Sequence, residues 1–228
     1  MFVRQASLTT PRPWPNHSLV PKTVIFDFDG TIADTENLIL EAYTQVSKWL
    51  KTPQITPELS QRLKKMTAGQ ILKEFKPKWK IPILIVAVRS ILHKKTDQMK
   101  AFSGMTEVLK TLKKDYKLGI LSSNSASLIK KFLKYNDLEY FDFVIGEKKL
   151  LGKGQRLQKL IQKYNLDKDQ TIYVGDELKD IAAAKVADIK AISVAWGLND
   201  PETLRANNAQ FFVQTPTELL HKIQTTLA

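Results

Sequence analysis

Asp27 and Asp29 stand one residue apart at the end of the apolar run Val24-Ile25-Phe26, and Gly30-Thr31 follow at once. In an extended chain, side chains two positions apart share a face, so both carboxylates leave the strand end on the same side. Two such charges about 4 Å apart near a protein surface repel by roughly 4 kcal/mol. A divalent cation or a shared proton relieves that repulsion. Asp and Gly are also ordinary turn residues, so the segment on its own serves equally well as a turn cap.

Three further segments follow in order. Leu118-Gly119-Ile120-Leu121 is a short apolar run that ends in Ser122-Ser123-Asn124-Ser125. Such a strand delivers Ser122, with nearby backbone N–H groups, to an anion at the start of the next helix, although the same cluster also makes a helix N-cap. Lys153 opens the helix-patterned stretch that runs through Leu157 to Tyr164. With 35 Lys and Arg in the chain, it gains weight only from its position in the series. Last comes Ile172-Tyr173-Val174-Gly175-Asp176, followed four residues on by Asp180. Asp180 then lies one helical turn from the strand end that carries Asp176, so both can face one point.

Together these segments resemble the four signatures of the haloacid dehalogenase-like hydrolase superfamily, from about Thr23 onward. The stretch Ala191 to Asn199 is similar to the phosphoglycolate phosphatase-like subgroup, whose members carry a helical cap. The resemblance implies a phosphatase acting on a small phosphate monoester through an aspartyl-phosphate intermediate. Asp27 is then the nucleophile, and Asp29 the acid that protonates the departing alcohol and afterwards deprotonates water. It implies Mg²⁺ held by Asp27, the backbone carbonyl of Asp29, Asp176 and Asp180, since hard oxygen ligands suit that ion. Ser122, Lys153 and backbone N–H groups near Gly30 and Ser123 are expected to hold the phosphoryl oxygens. Halide-removing and phosphonate-cleaving relatives lack an acid at the position of Asp29, which leaves a phosphatase or a phosphosugar mutase, and hydrolysis is the reading adopted. A catalytically idle fold that binds nucleic acid or protein is the reading from another class. A pure binding surface has no need of all these acidic positions.

These residues need a scaffold, and the pattern supplies one. Apolar strands alternate with amphipathic helices, the mark of an α/β fold with a Rossmann-like doubly wound parallel sheet. Strands are expected at Thr23 to Phe26, Lys117 to Leu121, Phe141 to Ile145, Thr171 to Val174, Lys190 to Val194 and Gln210 to Val213. Helices are expected to begin after caps at Ser103 and Ser125, and a last one spans Pro216 to Thr225. Ligands then gather at the carboxyl ends of the strands. Between these elements, residues 36–98 change to helices alone: Asn37 to Leu50, Pro57 to Met66, Ala68 to Phe75 and Ile83 to Lys95. The expected organisation is a core of residues 23–35 and 99–228, a small helical cap of 36–98, and a poorly ordered extension of 1–22. The turn Lys65 to Gly69 is the candidate for the part of the cap that reaches inward, with a plain interhelical connection as the alternative.

Residues 36–98 hold 12 Lys and Arg against 5 Asp and Glu, a net +7 of the chain's +12. Most of these lysines fit solvated helix faces. A basic lid over an acidic floor would also concentrate anionic substrates. The sequence pI of about 9.7 makes nucleic acid a rival partner. Trp49 and Trp79, at helical spacing, fit core packing better than base stacking. The apolar stretch Ile81 to Leu92 falls short of the roughly 20 residues a membrane span needs and is expected to be a buried helix. The resemblance implies a small phosphorylated metabolite as partner, and neither nucleic acid nor a membrane is expected. Cysteine is absent, which excludes thiol chemistry and suits a reducing cytoplasm. The acid-free start, rich in proline, lacks a secretory apolar segment, and organelle import remains its alternative. His17, His93 and His221 lie near no motif, so a Ser-His-Asp or zinc site has no support.

Overall fold

A computed structural model describes residues 21–74, 76–146 and 152–228. Residues 1–20 of the expected extension and Phe75, the last residue of one expected helix, lie outside them. The chain enters at β1 (Thr23–Phe26) and passes a two-residue strand, β2 (Ala33–Asp34). It then forms α1 (Glu36–Leu50), α2 (Pro57–Lys64), α3 (Ala68–Glu74) and α4 (Ile81–Lys94), and returns through β3 (Lys100–Ala101). Next come α5 (Met105–Leu112), β4 (Lys117–Ser122), α6 (Ala126–Tyr135), β5 (Phe143–Gly146), α7 (Lys153–Lys163), β6 (Thr171–Gly175) and α8 (Leu178–Ala187). The chain closes with β7 (Lys190–Val194), α9 (Pro201–Asn208), β8 (Phe212–Val213) and α10 (Pro216–Thr226).

Six of these strands pair in parallel in the order β5-β4-β1-β6-β7-β8, which puts β1 at the centre. Its strand neighbours are aligned so that Phe26 faces Ile120 on one side and Val174 on the other. The carboxyl ends of β1, β4 and β6 therefore meet at one edge. Both faces of the sheet are covered, so its central strands are buried along their whole length rather than on alternate residues. Val24 and Phe26 pack on one face with Leu109, Leu128 and Phe132, while Ile25 packs on the other with Leu157, Leu160 and Ala184. All the strands and helices expected of this layer are present with ends shifted by a few residues. One cap differs: Gly104, at φ +86°, precedes α5, and Ser103 does not cap it.

β2 and β3 pair antiparallel, Ala33 with Ala101 and Asp34 with Lys100, forming the neck through which the chain leaves for α1–α4 and comes back. These helices bury little. α2 has no buried residue, and α4 buries only Leu84 and Leu92 while Ile83 and Val86 are exposed. The expectation that Ile81 to Leu92 forms a buried helix is corrected accordingly: it is a helix with one covered face. Trp49 and Trp79 also depart from expectation, at 71% and 68% exposed. Trp49 follows Val46 on the inner stripe of α1 but falls at the end of the helix, and Trp79 lies in a short 3-10 turn. Spacing marks a stripe, not how far the partner extends along it. Among the described residues no helix is long and apolar enough to cross a membrane.

Candidate active site

Asp27 directly follows β1, Ser122 ends β4 and Asp176 directly follows β6, so the sheet itself carries three of the expected residues to one edge. Asp180, in the first turn of α8, and Lys153, the first residue of α7, complete the cluster. Asp27, Asp176 and Asp180 each place a carboxylate oxygen within 4.8 Å of the others. The buried Lys153 ammonium lies among them, donating to Asp27 Oδ2 at 2.5 Å and to Asp180 Oδ1 at 2.6 Å. Asp27 Oδ1 accepts the Phe28 N–H at 2.8 Å.

Asp176 is held from two sides. The Thr31 hydroxyl donates to its Oδ1 at 2.6 Å and the Leu198 N–H to its Oδ2 at 2.7 Å. Gly30 and Gly197 give it room. A Cβ on Gly30, whose φ is +74°, would meet Asp176 Oδ2 at 2.1 Å, and one on Gly197 would meet Asp176 Cβ at 2.2 Å. Gly30 was expected to offer its N–H to phosphate. In the structure that N–H donates to the Ala33 carbonyl at 2.9 Å, closing the turn.

On the open side, Asp29 is half-buried and its carboxylate accepts from the Asn124 amide at 3.2 Å. Ser122 Oγ accepts the Asn124 N–H at 3.0 Å. The Ser123 hydroxyl is buried with no hydrogen-bond partner, while its carbonyl accepts from Arg89 of α4 at 2.8 Å. Lys179 pairs with Glu177 beside the cluster. A cavity of about 270 Å³ opens here between the sheet edge and the helices α1 and α4, reached by Asp29, Arg89, Ser123 and Lys179.

The charges in this cluster are unequally settled. Burial opposes the Asp27 charge, but Lys153 and Lys179 outweigh it and hold that carboxyl below the ordinary range. Burial, then the charge of Asp27, pushes Asp29 up to about 6. Asp180 is also pushed up to about 6, by burial against the pull of Lys153. Burial with the charges of Glu177, Asp180 and Asp27 drives Asp176 well above a normal carboxyl. The cluster thus carries more negative charge than its two lysines balance. Three buried carboxylates converging within that excess are a donor set that fits a hard divalent cation.

Four residues of this region were not singled out from the sequence: Arg89, Asn124, Lys179 and Asn199. Asn199 Oδ1 accepts the Leu178 N–H that begins α8 at 2.8 Å, and its Nδ2 donates to the Lys64 carbonyl at 2.7 Å. The start of the candidate turn Lys65 to Gly69 is therefore tied to the loop after β7. Thr67 and Gly69 border a second cavity of about 270 Å³ shared with Lys153 and Lys179.

A family model described as haloacid dehalogenase-like hydrolase matches residues 24–194. The phosphoglycolate phosphatase of Synechococcus elongatus is 28% identical over 206 residues, covering 89% of this chain and 97% of the relative. The pyrophosphatase PpaX of Listeria monocytogenes is 28% identical over 219 residues, covering 87% and 94%. In fold, the chain matches the crystal structure of a predicted phosphatase from Clostridium acetobutylicum with a TM-score of 0.77 at 23% identity, over 91% of this chain and all of that one. The chain belongs to the haloacid dehalogenase-like hydrolases. Within them it groups with members named as phosphatases.

Proposed function

We propose that the protein hydrolyses a small phosphate monoester by transferring the phosphoryl group to Asp27 and then to water. The single observation that carries this reading is the convergence of Asp27, Asp176 and Asp180 at the sheet edge, with Asp29 facing the open side beside them. Asp27 is kept ionised by the ammonium of Lys153, whereas Asp29 is raised to about 6. A nucleophile must keep its charge, and a group that gives and takes a proton works best with a pKa near the working pH, so the separation of the two carboxyls supports the two roles.

In this reading an Asp27 carboxylate oxygen attacks phosphorus while Asp29 gives its proton to the departing alcohol oxygen. Asp29 then takes a proton from the water that cleaves the aspartyl phosphate, returning both carboxyls to their starting states. Lys153 and the Ser122 and Ser123 hydroxyls face the phosphoryl oxygens. Asp27, Asp176 and Asp180, with the Asp29 carbonyl, would hold Mg²⁺, which when bound supplies positive charge to the clustered carboxylates and the phosphoryl group. Residues 36–98 act as a cap, and Arg89 brings a cap charge to the edge of the site. The relatives' names leave phosphoglycolate and pyrophosphate as candidate substrates; a phosphosugar mutase would share the first half of the chemistry.

The test is release of inorganic phosphate from a panel of phosphorylated metabolites, with and without chelator. Turnover that vanishes on chelation and returns with Mg²⁺ is the expected result. Turnover indifferent to chelator would remove the metal from the scheme, and a panel without any release would remove the hydrolase reading.

A further inference from the structure

The surface of the cavity beside Asp29 is mostly apolar, although Tyr43, Ser123 and Asn124 add polar atoms to its charged groups. Ile39 of α1, Leu84, Ile85 and Val88 of α4, and Leu198 line it, while the charged groups Asp29, Arg89, Glu177 and Lys179 gather at the end toward the sheet. Asp29 is the residue from which the leaving alcohol would take its proton, so the departing group sits where this cavity begins. At about 270 Å³ the space lies just below the usual range for small-molecule sites, which suits a compact ligand.

Resting on the phosphatase reading above, we propose that the leaving group of the natural substrate is apolar: an alcohol with a hydrocarbon body of several carbons. A phosphosugar would bring a set of hydroxyls, and those lying against Leu84, Ile85 and Val88 would find no hydrogen-bond partner on these side chains. Tyr43 does not supply one as donor, because its hydroxyl already donates to the Pro53 carbonyl at 2.6 Å. A two-carbon leaving group would stop near the polar end and leave the apolar walls facing water. A hydrocarbon body removes that contact, and the gain scales with the apolar surface covered. The unpartnered Ser123 hydroxyl and the Arg89 guanidinium stand at the phosphate end, where the ester's charge lies.

A series of n-alkyl phosphates from ethyl to hexyl tests this, because their alcohols leave with similar intrinsic ease. The expected result is a kcat/KM that rises roughly fourfold for each added methylene, with hexyl phosphate exceeding both phosphoglycolate and glucose 6-phosphate. The substitution Val88→Asn should flatten that rise. Phosphate release that is level or falling along the series, a preference for phosphoglycolate or the sugar ester, or an undiminished slope in V88N would each overturn the proposal while leaving the phosphatase reading intact. Release from none of these esters would bring down the phosphatase reading and this inference together.

Discussion

Around Asp176 the side chain is fully buried and both carboxylate oxygens accept hydrogen bonds, whereas α2, in the helical insertion, buries no residue at all. The floor of the site is fixed from every direction: by the sheet register, by Thr31 and Leu198, and by two glycines that leave space for one carboxylate. The insertion is held by its paired neck strands, by apolar side chains of α1 and α4 such as Ala42 and Leu92 that join the core, and by polar contacts, among them Arg89 to the Ser123 carbonyl and Asn199 to the Lys64 carbonyl. Chemistry needs groups held within fractions of an ångström, so it sits where packing is dense. A surface that must open is better placed where fewer contacts have to break.

Four substitutions probe that contrast. Asp27→Asn should give the largest effect, lowering kcat by about three orders of magnitude or more. Circular dichroism should stay as in the wild type, because Lys153 keeps its contact with Asp180; substantial remaining turnover would place the nucleophile elsewhere. Lys153→Met strips the counter-charge from Asp27 and Asp180, which are both buried, and should destabilise the chelated protein by about 3–5 kcal/mol. A urea midpoint equal to that of the wild type would contradict this. For Gly30→Ala the strained φ and the close approach to Asp176 predict a loss of about 1–3 kcal/mol in the same assay. Turnover should fall with it, since Asp176 must move. Trp79→Ala, out in the insertion, should change stability by less than about 0.5 kcal/mol. A large loss there would show that the insertion is packed as tightly as the floor, and the contrast would disappear.

The same contrast governs what the sequence reveals. Asp27, Asp29, Asp176 and Asp180 are legible because each sits at a fixed offset from an apolar strand, and a strand end in a parallel sheet points to the ligand edge. Lys153 is legible only from its place in the order. Arg89 and Asn199 are not, because their partners lie 34 and 135 residues away and nothing local marks either side chain as turned toward the site. β2 and β3 are too short to show any period. α9 escaped notice for lack of an apolar stripe, with Leu204 as its one buried residue among those described. The exposure of Trp49 and Trp79 shows the converse limit: an apolar pattern announces a face without saying what covers it.

β1 lies at the middle of the sheet although it comes early in the chain, and its two neighbours begin only at Lys117 and Thr171. A chain growing from its amino end therefore exposes both hydrogen-bonding edges of β1 until β4 is made and one of them until β6 is made, and parallel partners so distant in sequence assemble slowly. Asp27 acquires its neighbours Asp176 and Asp180 only once β6 has docked. A nascent or truncated product that stops short of Thr171 lacks both Asp176 and Asp180, and the carboxylate cluster comes into being only with closure of the sheet.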